Sequence, residues 1–399
     1  MATFTLRRFT NPEALKAIQP HNLLELLERH GDYFRGRGVK LGPVNGEGVD
    51  YEGIARVLME PDESTPKGLV DDLYFVHEMA TVEGMDALRE EIAAMPPADR
   101  IELDLGPAPT PADVAVQVRL KAPDLLERKH AEHFLTSKRS FEYFQAKKGA
   151  DLRFRKPTAK ALAALEGALD DRFDEMKRGR SCKVFIYEKD DGIWFLVRHG
   201  DPCKREGAIE AGDSSSVYYR PERYDVLRYD AQLGELCLNA ENKKISALYR
   251  EKFGLHFFGD AVQFPGTAKY TLEPLRADGA ASLVCSDVEG MEWIRLKEIQ
   301  YFWGGPEGEV EIRKASDLFA VLERRKRSIP EMARILRAGF LVKFTDSKTP
   351  RTVTIRPNNV ASYTRDSDAA VVEDWLTKRG FTKDAAVEDA RAHAAVANA

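Results

Sequence analysis

The chain has 399 residues, 43% hydrophobic and 31% charged, with a formal net charge of −5. That length supports two or three domains with proper cores, and the balance excludes a disordered chain. Apolar runs such as Ile193-Trp194-Phe195-Leu196-Val197 fall far short of the roughly 20 residues a membrane-spanning helix needs, so the chain reads as soluble and cytoplasmic.

The N-terminus, Met1-Ala2-Thr3-Phe4-Thr5-Leu6-Arg7-Arg8, alternates polar and apolar residues and reads as a first strand, without the apolar core of a signal peptide. Residues 10–145 read as mostly helical. A capping residue before proline recurs at Asn11-Pro12, Thr65-Pro66 and Thr110-Pro111. Proline loses nothing there, because the first backbone N–H groups of a helix have no partner within it. Leu23, Leu24 and Leu27 form one apolar stripe, and Leu69, Leu73, Val76 and Met79 another. Thr81 opens a further helix, and Pro123 opens a longer one through Leu126 and Phe134 with Phe141 as its furthest reach.

A helix is expected over 158–178, behind a linker at Arg155-Lys156-Pro157. Residues 182–240 then alternate in the manner of strands. Cys182–Tyr187 and Ile193–Val197 flank a turn ending in Asp191-Gly192, and Tyr224–Tyr229 and Glu235–Leu238 flank another at Gly234. A helix follows at about 242–253, then strands at 269–275, 281–286, 292–302 and 309–313. Ser316 caps the next helix, a second helix follows Pro330, and strands are expected at 340–344 and 352–355. Ser367 caps a last helix ending at Gly380, and the Ala-rich tail beyond 382 is expected to fray. The fold class is therefore α+β: a mostly helical domain over 1–150, a domain rich in antiparallel strands over 151–314, and a small α+β domain over 315–399.

Cys182, Cys203, Cys237 and Cys285 form no CxxC pair, and their spacing fits reduced, buried thiols rather than a zinc site. Charge is more informative. Residues 42–115 hold seventeen acids against four bases. Two later stretches reverse the sign. The first carries Lys138, Arg139, Lys147, Lys148, Arg153, Arg155 and Lys156. The second carries Arg324, Arg325, Lys326, Arg327, Arg334, Arg337, Lys343 and Arg351. Both hold aromatics, which with Lys and Arg are the residue types that contact phosphates and stack on bases. The plainer readings are that the basic stretches face the acidic window, or an acidic protein partner.

Three groups could carry chemistry. Arg198-His199-Gly200 follows a strand and resembles the Arg-His-Gly signature of the histidine phosphatase superfamily, which implies phosphoryl transfer to His199 with Arg198 clamping phosphate oxygens. Asp225 or Asp230 with Glu241-Asn242-Lys243 resembles the restriction-endonuclease-like nucleases. That implies Mg²⁺ held by the aspartate, Asp225 for preference, and Glu241, with Lys243 orienting water. His77-Glu78 and Glu127, His130 and His133 would suit a metal only with a matching Glu-x-x-His on another helix, which the chain lacks, so solvated polar faces are the simpler reading. Neither a glycine-rich phosphate loop nor a Gly-x-Ser-x-Gly elbow is present.

The leading expectation is a cytoplasmic binding component that engages nucleic acid or an acidic protein surface through the two basic stretches. Membership of a bacterial multi-protein system, for example in defence, is compatible with it. The alternatives are the Mg²⁺-dependent nuclease, the only reading that needs a cofactor, and the phosphatase at His199.

Overall fold

A computed structural model describes residues 9–42, 48–210 and 212–383, so the expected first strand and the tail beyond 383 lie outside the described residues. Two compact units emerge: Met1–His133 with Gly207–Ser216, and Phe134–Glu206 with Val217–Ala399. The acidic window lies in the first unit and both basic stretches lie in the second, so the charge division follows the units.

The first unit is helical: α1 (Pro12–Leu15), α2 (Pro20–Glu28), α3 (Gly31–Gly36), α4 (Tyr51–Met59), α5 (Lys67–Met79), α6 (Val82–Ala94), α7 (Pro111–Lys121) and most of α8 (Pro123–Ser137). Asn11, Thr81 and Thr110 cap as the sequence implies, but Thr65 does not: α5 begins at Lys67 with Pro66 at the cap position and no side-chain cap bond, because Thr65 accepts from the Asp62 N–H instead. Asn11 accepts from the Glu13 N–H, Thr81 from Gly84 and Thr110 from Asp113. Leu23 and Leu27 of the first stripe and Leu69, Leu73, Val76 and Met79 of the second meet in one buried cluster, where Leu26 joins them; Leu24 is buried outside it.

The second unit is built on β1 (Ser140–Gln145), α9 (Ala159–Glu175), β2 (Lys183–Lys189), β3 (Gly192–Gly200), β6 (Glu222–Asp230), β7 (Glu235–Asn239), α10 (Lys243–Phe258) and α11 (Pro274–Ala277), and the hairpin β4 (Lys204–Glu210) and β5 (Asp213–Tyr219) starts and ends in it while its Gly207–Ser216 part groups with the first unit. It continues with β8 (Met291–Gly304), β9 (Glu309–Lys314), α12 (Leu318–Arg324), β10 (Arg334–Phe344), β11 (Arg351–Arg356), β12 (Val360–Ser362) and α13 (Arg365–Lys378). Ten of these strands form one antiparallel sheet in the order β2-β3-β6-β7-β1-β12-β11-β10-β8-β9. Segments 151–314 and 315–399 thus contribute to the same sheet. No helix among the described residues is long and apolar enough to cross a membrane.

Both expected hairpins form. In the first, Lys189 pairs with Gly192 across Asp190-Asp191. Gly192 sits at φ 135°, and a Cβ there would lie 2.6 Å from the Tyr229 carbonyl oxygen, so only glycine fits. In the second, the Asp230 carboxylate accepts from the Gln232 and Leu233 N–H groups and fixes the turn. Phe195 and Val197, Leu227 and Tyr229, and Leu236 and Leu238 alternate onto one sheet face, where α9 and α10 cover them with Leu165, Leu169, Phe173, Leu248 and Phe253.

Several elements differ from expectation. Phe141 lies in β1 rather than on a helix, because α8 stops at Ser137 and Ser140–Gln145 finds strand partners on both sides. The segment after Pro330 is β10, not a helix: pairing with β8 along ten Cα partners overrides its helical composition. The stretch 269–286 holds α11 and a 3-10 turn, Gly279–Leu283, with Tyr270 making only isolated bridges to Asn358 and Thr382. Asp317, not Ser316, caps α12, and α13 begins at Arg365, ahead of Ser367.

Opposite α9 and α10, the sheet buries a polar network. Tyr143 on β1 lies 3.1 Å from the Tyr363 hydroxyl, and Arg365 donates to both oxygens. Tyr363 in turn donates to Glu373 at 2.6 Å. Lys269 pairs with Glu235 at 2.6 Å and lies 4.0 Å above the Tyr143 ring. Burial alone would raise the Glu373 carboxyl, but Lys269, the Tyr363 hydroxyl and Arg365 outweigh it and hold it below its ordinary range. Ionised Glu373 therefore stabilises the fold above the unfolded carboxyl value of about 4.3, and that contribution is lost as pH falls through the lower folded value. Glu373→Gln should be less stable than wild type at pH 7, with the gap closing towards about pH 3. Urea unfolding across that range checks this, and a gap independent of pH contradicts it.

Candidate functional site

His199, Asp225 and Glu241, drawn from the two enzyme resemblances and far apart in the chain, line one cleft of about 470 Å³ in the second unit. His199 stands near the end of β3 and Asp225 near the start of β6, which run antiparallel with His199 opposite Arg223. Glu241 follows β7, which pairs with β6, and precedes the α10 cap Asn242. Lys138, Arg223, Tyr224 and Phe134 complete the walls, and the Phe134 and Tyr224 rings stack at 4.5 Å with 7° between planes.

His199 is only 2% exposed and lies flat against Phe173 of α9, ring centroids 4.4 Å apart. Its Nδ1 is 2.8 Å from the Gly200 carbonyl oxygen, and its Nε2 is 3.1 Å from an Asp225 carboxylate oxygen. Both contacts are hydrogen bonds at once only when both ring nitrogens carry hydrogen. The same Asp225 oxygen accepts from the Tyr249 hydroxyl of α10 at 2.8 Å. Burial and the neighbouring Asp225 carboxylate push the Tyr249 hydroxyl well above its ordinary range, so it remains a donor.

This geometry bears on both resemblances. Phosphoryl transfer to histidine needs a ring nitrogen open to substrate, and both nitrogens of His199 are engaged. Magnesium would need free carboxylate oxygens on Asp225 and Glu241. Asp225 presents one oxygen to two partners, and Glu241 accepts from the buried Arg178 guanidinium, which also lies 3.4 Å from Asp201. Lys243, the first residue of α10, is exposed and does not line the cleft. Each carboxylate is thus held by its neighbours through one oxygen, and among the described residues no group of three or more His, Cys, Asp and Glu is placed to hold a metal. In the first unit, His130 packs edge-on against Tyr74 and Phe75, and burial lowers its imidazole, while Glu127 pairs with Arg119.

The basic residues fall into two classes. Lys147 pairs with Asp260, Arg153 with Asp151 at 3.0 Å, and Lys156 with Glu188 at 2.8 Å. Arg337 pairs with Glu298, Lys343 with Glu292, and Arg351 with both Asp346 and Asp368. Lys148 also has an interaction of its own. Hydrogen bonds from Arg153 hold the Asp151 carboxyl down to about 2, so Asp151 stays ionised beside it at neutral pH. Arg324, Arg325, Lys326 and Arg327, by contrast, stand exposed on the turn that ends α12. They make no ion pair among the described residues, and neither do Lys138, Arg139, Arg155 and Arg334. β1 also splits the first stretch: its six residues put Lys138-Arg139 and Lys147-Lys148 about 20 Å apart.

Sequence reasoning missed Phe173, Arg178, Asp201 and Tyr249, which fix the cleft floor. Their partners lie tens of residues away or more, and no local pattern marks them. Comparison with protein-family models and with curated proteins finds no match. The second unit is therefore defined by its own geometry: a ten-stranded antiparallel sheet with a locked His-Asp-Tyr cleft and an unpaired basic turn.

Asp225→Asn should cost about 2–3 kcal/mol, because an amide cannot accept equally from His199 and Tyr249 at a buried position. Lys243→Ala should change stability by less than about 0.5 kcal/mol. Urea denaturation compares them, and equal effects would contradict a floor locked by Asp225.

Proposed function

We propose that the protein is a binding component that engages nucleic acid through the exposed cations of its second unit, chiefly Arg324, Arg325, Lys326 and Arg327, with Arg334 close by in the chain. One observation carries this reading. Of the fifteen cations in the two basic stretches, local carboxylates neutralise several, whereas four consecutive ones on a single turn keep their charge facing solvent. Unneutralised Lys and Arg on a convex turn suit phosphate contact, which is sequence-independent and salt-sensitive. Cys182, Cys203, Cys237 and Cys285 are free thiols, which supports a reducing, cytoplasmic setting.

The test is fluorescence anisotropy with labelled single-stranded DNA, single-stranded RNA and duplex DNA at about 50 mM salt. Replacing Arg324, Arg325, Lys326 and Arg327 with alanine should weaken binding at least tenfold. Replacing Lys147, Arg153 and Lys156 should weaken it less than about twofold, because those charges are already paired. No binding by wild type at about 100 µM protein removes the nucleic-acid reading. Equal binding to a polyglutamate probe assigns the turn to an acidic protein surface instead.

The shared cleft sustains a second reading, a hydrolytic site at Asp225 and Glu241. Metal binding there requires Arg178 to release Glu241. Cleavage of DNA with Mn²⁺ that Glu241→Gln abolishes would support it, and no cleavage by wild type would end it.

A further inference from the structure

The ten-stranded sheet has two edges, β2 and β9, and they are treated differently. Carboxylates from α9 occupy the β2 edge and its approach: Glu166 accepts from the Val184 N–H at 3.0 Å and Asp170 from the Cys182 N–H at 2.8 Å. β9 pairs with β8 on one side, and among the described residues no loop backbone bonds to its other side. Its alternate N–H and C=O groups are a template for another strand. Val310 and Ile312 point to one face and are 45% and 52% exposed. Glu311 and Arg313 share the other face, 2.6 Å apart, with Trp303 donating to Glu311.

The six residues Glu-Val-Glu-Ile-Arg-Lys carry acids in the first half and bases in the second. Such a strand complements an antiparallel copy of itself. Two sheets related by a two-fold axis normal to the sheet keep their faces in common, so each residue must oppose one on the same face. One such register sets Ile312 opposite Ile312 of the partner subunit and places Glu311 opposite Arg313 of the partner subunit, twice over. Shifting that register by one residue pair puts Glu311 against its own copy, which repels.

We propose that β9 is a self-association edge, through which two copies of this chain join their sheets antiparallel, centred on Ile312. Arg313, with Trp303 and Arg327 beside it, holds the Glu311 carboxyl below its ordinary range, so Glu311 is ionised for the pairing. Arg327 belongs to the basic turn, and pairing through β9 therefore brings two such turns about one axis. Two six-residue strands bury less than the roughly 1,600 Å² of a standard interface, so the dimer is of micromolar strength.

Light scattering on the full chain between about 1 and 200 µM tests this. Wild type should move from monomer to dimer across the range. Glu311→Arg or Arg313→Glu alone should weaken association about tenfold, since each puts like charges opposite one another twice. The double variant, E311R with R313E, should restore it. Ile312→Cys should form a symmetric disulfide under mild oxidation, because directly opposed Cα atoms lie about 4.5–5.5 Å apart, and Glu309→Cys should not. A monomer throughout with no Ile312→Cys crosslink overturns the proposal. A dimer that the single reversals leave intact, or that the double variant fails to restore, overturns it equally.

Discussion

Pairing of β1 with β7 on one side and with β12 on the other makes one sheet out of two. To one side lies the meander β2-β3-β6-β7, and to the other the run β12-β11-β10-β8-β9. Glu142–Gln145 partners Glu235–Leu238, and Ser140–Glu142 partners Val360–Ser362. No other strand touches both halves. The same six residues send Phe144 into the core under α9 and α10, and Tyr143 into the polar network with Tyr363 and Arg365. Both faces of the second unit are therefore anchored through one short strand, and removing Glu373 would leave the buried Arg365 guanidinium without its carboxylate.

That arrangement decides what the charge pattern can do. A basic stretch that is continuous in sequence straddles β1 and emerges at opposite ends of it. The sheet then supplies local carboxylates: Glu298 on β8 neutralises Arg337 of β10, and Glu292 on β8 neutralises Lys343. The carboxylates that pair with Lys147, Arg153, Lys156, Arg337, Lys343 and Arg351 run from Asp151 to Asp368, within the second unit. The longest run of cations without an ion pair among the described residues is the turn after α12, where four exposed cations in a row also offset the negative end of that helix.

Legibility in the sequence followed the range of the interactions. Caps such as Thr110 with Asp113, and the Asp-Gly and Gly234 turns, were readable because their partners lie within a few residues. The segment 331–339 was not, although the strand at 340–344 was: the composition of 331–339 suits a helix, and only pairing with β8, thirty or more residues earlier, extends β10 back to Arg334. The cleft was half legible. His199, Asp225 and Glu241 stood out as residue types, but their convergence depends on the β3–β6–β7 pairing, and their engagement by Phe173, Tyr249 and Arg178 depends on where α9 and α10 dock. Lys243 was drawn in by its spacing from Glu241, and the start of α10 turns it towards solvent.

In the proposed binding mode the unpaired turn, not the basic stretches as a whole, meets phosphate. The dependence of duplex DNA affinity on salt tests it most directly, because each phosphate contact contributes about −0.9 to the slope of log K against log salt. Four contacts predict a slope of about −4 per bound chain, falling close to zero when Arg324, Arg325, Lys326 and Arg327 are replaced with alanine. A slope beyond about −10, or one that the replacement leaves unchanged, would contradict it.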